Sequence, residues 1–166
     1  MAKLSQPPKK SHLSRAALTL SNSFEVLFLF DFDVYNIYEG RDNTQISDMA
    51  PSTQKAVLLE SKCGNYVLGT APVPKPGPGD ILIKVQAAAL NPVDYHIQRM
   101  GIFFDTFPAI VGTDIAGDVE EVGEGVTDFK KGDRVLVQSK FQNEYGSFQQ
   151  YALGLTEFTA KVGQLY

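Results

Sequence analysis

Apolar and polar positions alternate most regularly in Ile81-Leu82-Ile83-Lys84-Val85-Gln86. Ile81, Ile83 and Val85 fall on one side of an extended chain and Lys84 and Gln86 on the other, as a half-buried strand requires. Short strand-like runs recur at Ala56 to Leu59, Ile81 to Ala89, Ile115 to Val122, Arg134 to Gln138 and Phe148 to Leu153. Turn residues separate them, and this spacing predicts a mainly β barrel or sandwich. Pro74-Lys75-Pro76-Gly77-Pro78-Gly79-Asp80 continues neither helix nor central strand, because each proline lacks an N–H and fixes φ, so it is expected as a surface loop. The one clear helical expectation is Pro92 to Met100, with Asn91 as cap, proline in the first turn and Gly101 closing it. The block from Val119 to Val135 alternates strand and glycine turn and supports no long helix. Gly64-Asn65 reads as a hairpin turn.

The pattern changes character near Met49. Before it no sustained period exists, and residues 1–48 are expected to form an irregular or disordered leader, with a non-native extension as the alternative; Met49-Ala50-Pro51-Ser52-Thr53 would itself make an ordinary protein start. The domain is therefore placed at 49–166. Within the leader, the run Phe24 to Phe32 is aromatic and β-prone, an aggregation hazard if unpaired. Its apolar part, Val26 to Phe30, is far shorter than the ~20 residues that cross a bilayer. The first 24 residues carry Lys3, Lys9, Lys10 and Arg15 and no acid, which suits a mitochondrial transit peptide, although Pro7-Pro8 interrupts any early helix. A cytoplasmic location is the default expectation.

Composition narrows the classes. The 166 residues, 43% hydrophobic and 20% charged, fit one ordinary domain with some excess length. A net charge of -4 gives no electrostatic case for nucleic acid, which asks for clustered Lys and Arg. The one cysteine, Cys63, excludes an internal disulfide framework and a thiolate-rich zinc site made by this chain alone. No Cys-His constellation surrounds it, and it is read as a thiol beside a turn.

Five ordered blocks are specific enough to name a family: Pro76 to Val85, Ala89-Leu90-Asn91-Pro92-Val93-Asp94, Val111-Gly112-Thr113-Asp114-Ile115-Ala116-Gly117, Val122-Gly123-Glu124-Gly125-Val126, and Lys131-Gly132-Asp133-Arg134-Val135. Together they resemble the N-terminal GroES-like domain of medium-chain dehydrogenases/reductases. The resemblance implies a partly open β-barrel with one or two short helices. In zinc-dependent members a cysteine stands near the start of the short helix and a histidine-glutamate pair in the glycine block; here Asn91 and Thr113-Asp114 stand in those places. An amide and a hydroxyl are poor zinc ligands, so no metal site is expected and a zinc alcohol dehydrogenase domain is disfavoured. The sequence looks like the zinc-independent branch of quinone and trans-enoyl reductases.

That branch implies hydride transfer from NADPH to an enoyl C=C bond or a quinone, with the developing oxyanion held by hydrogen bonds. By resemblance, Val93, Asp94, Tyr95 and His96 border the cofactor, and His96 either orients it or donates a proton. An exposed helix histidine is the plainer alternative. Asn91 and Thr113 are candidate catalytic donors, each with a local structural role as cap and turn residue. Phe103, Phe104, Phe107, Tyr145 and Phe148 are candidates to line an apolar acyl or quinone pocket, with plain core aromatics as the alternative. Leu153, Leu155 and Phe158 fall in the family's substrate-side loop.

Relatives of this kind continue into a Rossmann domain that binds the pyrophosphate. Here it is expected to be absent. Gly123-Glu124-Gly125 carries two fingerprint glycines, yet Lys131-Gly132-Asp133 follows where a helix must begin. The chain is therefore expected to be a truncated gene product or fragment, inactive alone, or one whose nucleotide domain comes from a partner chain or a homo-oligomer. A non-catalytic binding module of co-chaperonin type is the alternative class, with Gly101-Ile102-Phe103-Phe104-Asp105 as its candidate anchor loop.

Overall fold

The structure is a computed structural model and describes residues 50–163. The expected leader and its Phe24 to Phe32 run lie outside the described residues.

The chain opens with a hairpin. Strand β1 (Thr53–Leu59) pairs antiparallel with β2 (Tyr66–Pro72) in unbroken register from Thr53↔Pro72 to Leu59↔Tyr66. The connecting turn closes by Glu60 N–H to Asn65 O at 3.1 Å and Gly64 N–H to Ser61 O at 2.9 Å. Cys63 sits in it, exposed and with φ of 57°. The expectation of a thiol beside a turn holds.

After the Pro/Gly loop, β3 (Asp80–Ala88) runs through the middle of a second sheet, with α1 (Pro92–Met100) and the two-residue β4 (Ala109–Ile110) following. Then come β5 (Asp114–Val122), β6 (Arg134–Gln138), β7 (Tyr151–Leu155), a single 3-10 turn (Thr156–Phe158) and β8 (Thr159–Lys161). The strands form a three-stranded sheet, β2-β1-β4, and a five-stranded one, β7-β3-β5-β6-β8. All strand pairs among the described residues are antiparallel, so they contain no βαβ crossover of the Rossmann kind. Irregularities in the β3–β5 register after Leu82 and after Val85 curl the larger sheet toward a half-barrel.

Alternation in β3 proceeds as read: Ile81, Ile83 and Val85 are buried and Lys84 and Gln86 exposed. Ile81, Ile83 and Val85 pack with Ile115, Val119, Val135 and Val137 inside the curl. Leu82, on the opposite face, is also buried, against Tyr145 and Leu153. A third cluster gathers Leu59, Ile97, Phe104, Val111 and Phe148 under the helix.

One stretch departs from its expected role. Phe148 to Leu153 was expected as a single strand, but β7 begins only at Tyr151. Its first three residues are drawn to β1 instead: Val57 N–H donates to Phe148 O at 2.8 Å and Gln150 N–H to Lys55 O at 3.3 Å. The Gln150 carbonyl accepts from Val85 N–H of β3 at 2.9 Å, so the chain crosses between the sheets there. Gln149 and Gln54 fill the seam: Gln54 Nε2 donates to Gln149 Oε1 at 2.9 Å, and Gln149 Nε2 donates to the carbonyls of Asn143 and Gly146 at 2.8 Å each. Among the described residues no helix is long and apolar enough to cross a membrane.

Candidate functional site

The site begins at the start of α1. Asn91 is extended (φ -112°, ψ 153°) in the capping position, and Pro92 begins the helix. Asp94, at the third helical position, returns its carboxylate to the Asn91 backbone N–H at 2.7 Å. Gly101 ends the helix in the left-handed region (φ 62°, ψ 41°), its N–H on Ile97 O at 2.9 Å.

This capping leaves the Asn91 side chain facing the glycine block. Its Nδ2 donates to Asp114 Oδ2 at 2.9 Å and lies 3.5 Å from Thr113 Oγ1. Thr113 is buried and its carbonyl accepts from Ser139 N–H at 2.7 Å. Gly112, with φ of 94°, turns the chain into it, and a Cβ there would lie 2.1 Å from Ser147 Oγ. The three residues standing where zinc-dependent members place cysteine, histidine and glutamate thus meet as amide, hydroxyl and carboxylate. The Asn91 amide links the three through its two contacts. Among the described residues no group of three or more His, Cys, Asp or Glu is placed to hold a metal ion.

The electrostatics beneath the cluster favour neutral groups. Burial, first, and the nearby Asp114 charge push the Asp94 carboxyl above its ordinary range, partly countered by the Asn91 and Gly112 backbone amides. The Tyr66 hydroxyl donates to Asp94 O at 3.1 Å. Burial, and then the Asp94 charge, push the Tyr66 phenol up to about 12.

Asp114 also stands in the wall of a groove of about 580 Å³ on the outer side of the larger sheet. Ala87, Ala88 and Ala89 line one side, Leu136 and Gln138 another, and Glu157, Phe158 and Thr159 its end. The groove is mostly apolar, and of the Asn91–Thr113–Asp114 cluster it is Asp114 that reaches its wall.

The remaining sequence candidates are spread over the molecule. Val93 packs into the cluster under the helix and Asp94 is buried in the capping interaction, while Tyr95 and His96 are exposed beside each other, ring centroids 5.8 Å apart. Helical geometry explains the split, because positions 94 and 97 share the inward face. Phe107 and Phe148 belong to the core under the helix, and Tyr145, Leu153 and Leu155 to the core around Leu82. The Tyr145 hydroxyl donates to the buried Asp80 carboxylate at 3.0 Å, and burial followed by Asp80 pushes the phenol up to about 12. Phe103 stacks on Phe141 with centroids 4.4 Å apart, which ties down the loop considered as a free anchor. Phe158 alone of the named substrate candidates lines the groove. Sequence reasoning did not single out Phe141 or give Asp114 a site role; Asp114's position directly after Thr113 in the glycine block was the available signal.

Gly123-Glu124-Gly125 is a closed turn. A Cβ on Gly123 would lie 1.8 Å from Gly77 O, so this glycine allows backbone packing and leaves no cradle for a phosphate.

Comparison with known proteins places these features in a family. Residues 77–163 match the family model of the alcohol dehydrogenase GroES-like domain. The dehydrogenase orsE of Emericella nidulans is 46% identical over 85 residues, which cover 51% of this chain and 24% of that protein. The trans-enoyl reductase tazE of Aspergillus terreus is 39% identical over 111 residues, covering 61% of this chain and 37% of its own. The chain thus spans well under half the length of these curated relatives. Among solved structures, the quinone oxidoreductase from Coxiella burnetii superposes with a TM-score of 0.61 at 25% identity, covering 68% of this chain and 38% of that one. A cobalt- and zinc-bound thermostable alcohol dehydrogenase from Pyrobaculum aerophilum gives 0.60 at 27%, covering 66% and 41%. The chain belongs to the alcohol dehydrogenase GroES-like domain family, the N-terminal domain of medium-chain oxidoreductases.

Proposed function

We propose that this domain forms the substrate side of an NADPH-dependent, zinc-independent reductase of enoyl C=C bonds or quinones. The carrying observation is the meeting of Asn91, Thr113 and Asp114 through hydrogen bonds, with Asp114 also in the wall of the groove. An amide and a hydroxyl are poor ligands for a catalytic zinc, whereas both can serve a carbonyl whose oxygen gains charge. Relatives named trans-enoyl reductase and quinone oxidoreductase support the same choice of substrate class.

NADPH, when bound, supplies the hydride. On this chain the exposed pair Tyr95 and His96 is the part of α1 suited to border it, with Val93 and Asp94 fixing the helix from within. His96 is assigned to orient the cofactor or deliver a proton. The pyrophosphate finds no cradle at Gly123, so most nucleotide contacts belong to another domain, on a longer form of the protein or on a partner chain. The groove and Phe158 offer the apolar surface for an acyl chain or quinone ring. A cytoplasmic enzyme is the corresponding setting.

The reading is tested by NADPH consumption with an enoyl thioester or a quinone, using a protein that joins this domain to a nucleotide-binding domain. Turnover is expected to survive exhaustive chelation. Loss on chelation with recovery on added zinc would overturn zinc independence, and absence of turnover with either substrate would overturn the reductase reading.

A further inference from the structure

The polar residues that line the groove gather around the C-terminal end of β6. Asp114 of β5 stands opposite Gln138 on one flank of that strand, and Thr159 of β8 stands opposite Val137 on the other. Glu157 lies two residues before Thr159, in the turn that leads into β8. Two carboxylates therefore bracket the end of β6, on elements two sheet spacings, or about 10 Å, apart. No Lys, Arg or His lines the groove. The cations of β6 and β8 go elsewhere: Arg134 meets Asp118 at 3.6 Å and Lys161 meets Asp133 at 2.8 Å. Asp114 accepts from the Asn91 amide, which is neutral and leaves its charge in place. The rest of the lining is apolar, with Leu136 and Phe158 52% and 55% exposed and ready to meet a ligand.

We infer that the groove admits an uncharged acyl derivative, a thioester or ester, and rejects the free acid, with Glu157 and Asp114 as the residues that set this choice. The inference rests on the reductase reading for the acyl chain and deepens it by the charge state of the ligand. An acyl ligand places its chain on the apolar lining and its carbonyl at the polar end, where hydrogen-bonding partners replace water. There a carboxylate would be a third negative charge beside two, with no cation among the lining residues to offset it. A thioester carbonyl is uncharged and can accept from the Gln138 amide. Repulsion across an open groove is screened over a Debye length of about 8 Å at physiological ionic strength, so the rejection must weaken with salt, whereas the contact with Phe158 must not.

The test is a pair of titrations of the ¹⁵N-labelled full chain, with octenoate and with its N-acetylcysteamine thioester, followed at the amides of Ala116, Leu136 and Phe158. In dilute buffer the thioester should bind about tenfold more tightly than the acid, and the ratio should shrink toward one as salt is raised. Glu157→Gln and Asp114→Asn should each narrow the ratio about threefold, and Glu157→Asp, which keeps the charge, should retain it. Phe158→Ala should weaken both ligands by the same factor. Equal affinities in dilute buffer, or a ratio that Glu157→Gln leaves where it was, would overturn the selection by charge. A thioester that does not bind would overturn the groove as an acyl site. No NADPH enters these titrations, so a two-domain enzyme without turnover would sink the reductase reading while the ratio of acid to thioester still decides the role of Glu157 and Asp114.

Discussion

Removing the Tyr145 hydroxyl takes from the buried Asp80 carboxylate the donor it meets at 3.0 Å, and Tyr145→Phe should lower stability by about 1–3 kcal/mol, read as a shift in the urea midpoint at constant slope. Asp94 gives a different signature. Its carboxyl is held above the ordinary value of 3.8, chiefly by burial, so the neutral form suits the fold better than the ionised form. Its contribution is fully present below that ordinary value and is lost as pH rises through the raised one. The stability of wild type should therefore fall relative to Asp94→Asn as pH climbs from about 4 toward neutrality, followed by denaturant midpoints across a pH series; parallel curves would refute it. At this scale the sequence was uneven. Asn91 and Thr113 could be singled out because the flanking proline and glycines locate them in a motif. The inward turn of Asp94 was encoded too, in its position three residues after the cap, but a motif reading that treats Val93 to His96 as one strip cannot distinguish the inner from the outer face of a helix.

The helix α1 and the strands β3, β5 and β6 were legible because their burial follows one period and their ends carry proline, asparagine or glycine. Strand β2 was not. Tyr66–Pro72 is an edge strand whose residues are all half-buried or exposed, with a glycine and a closing proline, so it lacks a core-facing stripe to read. Gly69 is there because Leu58 crosses the strand, its Cδ1 2.5 Å from where a Cβ would stand. The start of β7 was not legible because Phe148, Gln149 and Gln150 run on into the strand in sequence while Phe148 and Gln150 hydrogen-bond to the other sheet. That seam depends on glutamines invisible to a hydrophobic pattern. Gln149→Ala would leave the Asn143 and Gly146 carbonyls and the Gln54 amide without that partner in a buried site, and should cost about 2–4 kcal/mol by the same measurement. Gly112→Ala should match or exceed that cost, since φ of 94° strains an alanine and its Cβ would meet Ser147 and Phe148.

For the molecule as a whole, the mainly β class followed from strand spacing and turn residues, and the partly open barrel and the family from the resemblance carried by five ordered blocks. Its division into two sheets was not legible, because it is fixed by pairings distant in sequence such as β1 with β4 and β3 with β7. The described residues should bind NADPH weakly on their own, measured by calorimetry and nicotinamide fluorescence on the chain from Met1 and on one begun at Met49; saturable micromolar binding would contradict the assignment of the pyrophosphate to another domain.

The crossing at Phe148 to Gln150 also bears on how the barrel comes apart. Because those three residues bond to β1 on one side and β3 on the other, neither sheet can peel away without breaking the same short segment. The amide protons of Val57 and Val85, although in different sheets, should then exchange with deuterium at closely similar rates, marking a single cooperative opening that spans both layers.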